Sequence, residues 1–137
     1  MTSADTESAT PAPDADDEFR ELGEQLLRTA TSTAYRAAVQ ALIEEQTILS
    51  VRAVRHALIV DSGRARKANF EGLSGRQYNL GLDPEQHAFL DLVLSMVSIG
   101  RTNICVVQDL DDRRLPIILR AILRLAGNED LAVGRRL

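Results

Sequence analysis

The sequence has no tryptophan, and only three phenylalanines, two tyrosines, two histidines and one cysteine in 137 residues. A single cysteine excludes an internal disulfide framework and any cysteine-based zinc site. His56 and His87 stand far apart, so a metal centre would have to lean on carboxylates. No apolar run approaches the roughly 20 residues that span a membrane. The acidic, polar N-terminus lacks the apolar core of a secretory signal. No phosphate-binding glycine loop, dinucleotide fingerprint, HExxH motif or GxSxG elbow occurs. The expectation is a cytoplasmic protein that is not an enzyme and has no cofactor, no metal and no membrane partner.

Lysine is also nearly missing: Lys67 stands beside fifteen arginines. Arginine suits bidentate contacts to phosphate or carboxylate. An arginine-rich, alanine-rich, lysine-poor chain equally fits a GC-rich genome. What is present is enough for a core: 45% of the residues are hydrophobic, an ordinary fraction for one globular domain.

The formal net charge of −4 hides a division. Residues 1–18 hold six acids (Asp5, Glu7, Asp14, Asp16, Asp17 and Glu18) and no base. Segments 50–76 and 113–137 each carry six bases against two acids, and 77–112 carries six acids against one base. A negative total therefore does not exclude an anionic partner, because local clustering decides that. Residues 1–16 lack periodic apolar positions, which predicts a disordered acidic tail. Such a tail would be a passive solubilising segment, or would fold back on a basic surface and compete with an anionic ligand.

Residues 17–137 read as an all-α, single domain of five or six helices. Phe19, Leu22 and Leu26 recur at helical spacing from a start near Asp16 or Asp17. Thr31-Ser32-Thr33 supplies a cap for a second helix with Tyr35, Ala38, Val39, Leu42 and Ile43 on one stripe. Ser50 would cap a third, with Val51, Val54 and Leu58 inward. A fourth is expected from Gly63 to about Leu73, succeeded by a loop and a strand fragment at 78–80. Asp83-Pro84-Glu85 marks the next helix start, and residues 89–97 are apolar almost all round. Ile104-Cys105-Val106-Val107 fits a buried strand or a buried helical turn, so Cys105 is expected to be an inert core thiol. The last helix would begin at Asp111 or Asp112 and end at Gly127, with Leu115, Ile118, Leu119 and Ile122 facing in. The apolar C-terminal helices, 83–127, would either centre the domain or form a homo-oligomer interface.

Residues 34–73 resemble helix-turn-helix DNA-binding domains. Val54 and Leu58 match core positions of the supporting helix. Val60 matches the apolar turn residue, Asp61 or Ser62 the cap, and Ala65 and Ala68 the small inward residues of the second helix. Two positions depart from the pattern: Arg55 stands where a small residue is usual, and Ile59 where the turn glycine is usual. The resemblance implies a DNA-binding regulator or accessory factor. Arg64 and Lys67 would face DNA from a shared helix face, with Arg66 to one side and Arg52 or Arg55 gripping the backbone. The competing reading is a solvated face, with Glu71 pairing Lys67.

Arg113, Arg120 and Arg124 fall within about 40° of one another on the last helix. That stripe would bind phosphates or a partner's carboxylates, or be merely a polar face. The acids Asp109, Asp111 and Asp112 lack the spacing of a calcium loop and suit a helix start. The alternative to DNA binding is a non-catalytic interaction or assembly subunit that docks a partner through its apolar helices.

Overall fold

The computed structural model describes residues 11–61, 63 and 65–136, with side chains from 15 onward. Six α-helices and one two-stranded sheet are formed among them. The first helix, α1, spans Pro11–Thr29 and buries Leu22 and Leu26. It starts before the expected Asp16–Asp17, so residues 11–16 of the expected tail are helical. Residues 1–10, the rest of that tail, lie outside the described residues.

Ser32 caps α2 (Thr33–Glu45), its side chain accepting from Tyr35 N at 3.0 Å. The expected stripe is inward: Ala38, Val39 and Leu42 are buried, and Tyr35 and Ile43 are half-buried. After a turn that buries Ile48 and Leu49, α3 (Arg52–Leu58) buries Val54, Ala57 and Leu58. Its cap position is Val51; the hydroxyl of Ser50 instead donates to Gln46 O.

The expected fourth helix over 63–73 does not form. Residues Ile59–Asp61 (β1) and Arg66–Ala68 (β2) pair antiparallel, with Ile59 opposite Ala68 and Val60 opposite Lys67. The local chemistry favours this hairpin. Ile59 and Val60 are β-branched, Gly63 sits at φ +90°, and Gly63 N donates to the Asp61 carboxylate at 3.1 Å. A positive φ at a turn glycine suits a hairpin and would break a helix. Ala65 and Ala68 therefore do not serve as inward residues of a recognition helix.

A new helix, α4 (Phe70–Gly75), begins only at Asn69, whose side chain accepts from Gly72 N. Here α4 approaches α3 so closely that a Cβ at Gly72 would meet Ala57 O at 2.8 Å. The expected strand fragment at 78–80 is instead a 3-10 turn, Gln77–Asn79.

The start of α5 (Pro84–Met96) matches its sequence signal. Asp83 caps it, Pro84 opens it, and Gln86 completes a capping box. Phe89, Leu90, Val93 and Leu94 are buried, so α5 is the central helix and needs no second copy to cover it. It ends at Met96, before Gly100, with Ser98 at φ 64°. Residues Ile104–Asp109 form a 3-10 helix with no buried residue. Cys105 is exposed there, which corrects the expected core thiol.

The last helix, α6 (Arg114–Leu125), packs mainly on α2. Its buried residues are Arg114, Ile117, Ile118 and Ala121. Leu119 and Ile122, expected inward, are exposed at 40% and 37%. A buried arginine has turned the inward face of α6 toward 114, 117, 118 and 121. No helix among the described residues is long and apolar enough to cross a membrane.

Candidate nucleic-acid interface

The two basic segments have different fates. On α6 the arginines are engaged by α2. Glu45 is fully buried and accepts from Arg114 Nε at 2.9 Å and from Arg113 Nη2 at 3.1 Å. It also accepts from Ile48 N and from the Thr47 hydroxyl. Arg114, itself buried, reaches Asp111 at 3.0 Å and Glu85 at 3.5 Å. Asp111 also accepts from Arg114 N, the first residue of α6. One residue earlier on α2, Glu44 holds Arg120 at 3.0 Å and Arg124 at 2.9 Å. The stripe of Arg113, Arg120 and Arg124 is thus brought onto two carboxylates of its own chain. Sequence spacing did not single out Glu44, Glu45 or Arg114. The only available signal was a Glu-Glu doublet ending one helix and an Arg-Arg doublet opening another.

Burial works against the Glu44 charge. Hydrogen bonds from Gln40 and Arg120, with the charges of Arg124 and Arg120, outweigh it and hold the carboxyl below its ordinary value of 4.5. A folded-state pKa that is depressed contributes stability above the unfolded value, and that contribution is lost as pH falls through the folded one. Thermal melts taken downward from about pH 6 should therefore show a steeper acid loss than the same series on Glu44→Gln. Superimposable slopes would refute the assignment.

The segment around α3 and the hairpin is arranged differently. Arg52, Ala53 and His56 form the exposed face of α3, with Arg52 and His56 one turn apart. Half-buried Arg55 donates from Nε to Leu49 O at 2.8 Å. On β2, Arg66 donates from Nε to Gln25 Oε1 at 2.7 Å, and the Thr29 hydroxyl donates to Arg66 O at 3.0 Å. These two bonds tie the hairpin to α1. Lys67 is exposed on the opposite face, across from Val60 at 45% exposure. The hairpin and the α1–α2 corner flank an open pocket of about 550 Å³ that Lys67, Val60, Tyr35 and Ser32 help to line. Arg64 lies outside the described residues. Arg66 and Lys67 belong to a strand, where successive side chains point to opposite faces, and not to the helix on which Lys67 was expected to face DNA with Arg66 to one side. Glu71 does not pair with Lys67 among the described residues.

Among the described residues, none of Arg52, Arg55, Arg66, Lys67 or Arg76 forms a salt bridge. Their partners, where present, are neutral oxygens. The described residues also hold no group of three or more His, Cys, Asp or Glu able to bind a metal. No protein-family model, curated protein or solved structure matches the chain.

Proposed function

We propose that the protein binds duplex DNA through α3 and the β1–β2 hairpin. The helix-turn-helix reading then moves one helix upstream. The supporting helix is α2, residues 46–51 are the turn, and α3 is the helix presented to the groove. An α-helix with its side chains is about 10–12 Å across, which a major groove about 12 Å wide admits, and the seven residues of α3 present about two turns to it. Arg52 and His56 lead, Arg55 flanks them, and Lys67 on the hairpin meets the adjacent backbone. The observation carrying this reading is the contrast in charge compensation. The α6 arginines pair with carboxylates of their own chain, whereas the described bases Arg52 and Lys67 form no salt bridge and keep their charge available for phosphate.

The test is anisotropy of a labelled mixed-sequence duplex at rising salt. Affinity should fall steeply with salt, because phosphate contacts release counterions. The Arg52→Ala, Lys67→Ala double variant should flatten that slope by about 2. Folded protein that shifts no duplex at about 50 mM salt would sink the proposal.

The assembly reading rests on Leu119, Ile122 and Leu125, exposed on α6. Three partly exposed side chains fall far short of the ~800 Å² per partner that a standard interface buries. The arginines beside them are already taken.

A further inference from the structure

The pocket between the hairpin and the α1–α2 corner has a volume of about 550 Å³, within the roughly 300–1,000 Å³ of small-ligand sites. Its walls are tied to one another. The Thr29 hydroxyl donates to Arg66 O at 3.0 Å, and Arg66 Nε donates to Gln25 Oε1 at 2.7 Å, so β2 is fastened to α1. On the α2 side, the Tyr35 ring stands edge-on to the fully buried Phe70, with centroids 5.2 Å apart and planes at 78°. Phe70 opens α4, and the amide just before it, Asn69 N, donates to Leu58 O at the end of α3. The pocket is open to solvent, yet a ligand entering it meets walls that are already ordered, which favours affinity.

The lining has two characters. Ala30, Val60 and the Tyr35 ring are apolar, and Val60 is left 45% exposed. The polar side chains are mainly hydroxyls. Those of Thr31 and Tyr35 have no hydrogen-bond partner among the described residues, and Ser32 Oγ accepts from Tyr35 N and keeps its own proton to donate. Lys67 is the one charged residue of the lining among the described residues, and it forms no salt bridge there. The acids nearest to it in sequence, Asp61 and Glu71, keep their charge but do not line the pocket. Asp61 stands across from Arg66, on the strand face opposite that of Val60 and Lys67. Glu71 is exposed on α4. One ammonium beside an apolar floor matches one carboxylate on an apolar body. A phosphate monoester, with its charge of nearly −2, is a poorer match to a lining that offers a single base.

We propose that this pocket binds a small amphipathic carboxylate, its apolar body over Val60 and Tyr35 and its carboxylate on Lys67 and the adjoining hydroxyls. The duplex reading above also uses Lys67, but ligand binding is measured without DNA, so the two fail separately.

The experiment titrates the full chain into 2-naphthoate, a fluorescent aromatic carboxylate, and reads the anisotropy of its emission. Binding should saturate at one equivalent, with a Kd below about 1 mM. Lys67→Met keeps the length of the side chain and removes its charge, and should weaken binding about fivefold. Val60→Glu sets a carboxylate directly across the strand pair from Lys67 and should abolish binding, with an unchanged thermal melt because the position is exposed. Neutral 2-naphthamide should bind more weakly than 2-naphthoate and be indifferent to Lys67→Met. No saturation below about 1 mM, or equal 2-naphthoate affinity in the wild type and Lys67→Met, overturns the site. Naphthamide binding as tight as that of naphthoate overturns the choice of a carboxylate. Displacement of 2-naphthoate by inorganic phosphate in preference to benzoate would assign the pocket to a phosphate, and also overturns the proposal.

Discussion

Glu45→Ala should destabilise the protein by about 3–5 kcal/mol in urea denaturation. The carboxylate is fully buried and is the acceptor for Arg114, Arg113, Thr47 and the Ile48 amide. Removing it leaves a guanidinium that is 8% exposed with only the more exposed Asp111 and Glu85 opposite it, and leaves the Ile48 amide without its acceptor. The cost is mostly that of a buried charge left under-compensated, and much less the net value of the pair. The distinction has its own signature. Replacing both members with apolar residues of similar size, Glu45→Leu with Arg114→Met, should recover most of the loss, since desolvation of both ions disappears together. A single-variant loss below about 1 kcal/mol would mean that water replaces the carboxylate, and would overturn this account.

Phe89→Ala should cost a similar amount, about 3–5 kcal/mol, by emptying the centre of the core. Phe89 has no exposed surface and lies on the helix that the rest of the domain encloses. The informative control is Leu119→Ala, which should stay within about 0.5 kcal/mol of wild type, because that side chain sits on the outer face of α6. Comparable losses at the two positions would show that α6 presents Leu119 inward, against the packing of α6 on α2.

That control marks where sequence reasoning failed. Periodicity placed Leu115, Ile118, Leu119 and Ile122 on one inward stripe, and only Ile118 is fully buried. The helix is apolar on more than one side, so its pattern does not fix its rotation. Rotation is set by Arg114 seeking Glu45, a partner 69 residues away. No local signal carries such a pairing. The signals that succeeded are short-range and stereochemical. Asp83-Pro84 located a helix start to the residue, Thr31-Ser32-Thr33 bracketed the cap of α2, and the apolarity of 88–96 marked α5 as a buried helix.

The hairpin failed for a different reason. Gly63 was legible as a break, but a break leaves the type of the next element open. The three-residue strands are too short to show alternation, and their pairing depends on one another and on α1. Consequently Lys67 was assigned to a helix face with Arg66 to one side, whereas both residues belong to a strand. At the candidate site, residue types were readable and the faces they occupy were not.

The two neighbouring glutamates at the end of α2 have a mechanical consequence. Glu45 draws on Arg113 and Arg114 at the start of α6, and Glu44 on Arg120 and Arg124 beyond it. The attachment points are spread from Arg113 to Arg124, while the anchors on α2 are adjacent. Sliding α6 along its own axis in either direction must stretch one set of bonds. The crossing therefore acts as a detent. It resists the one-turn, ~5.4 Å slippage to which an amphipathic helix on an apolar bed is otherwise prone, and it sets a register that greasy packing alone would leave loose.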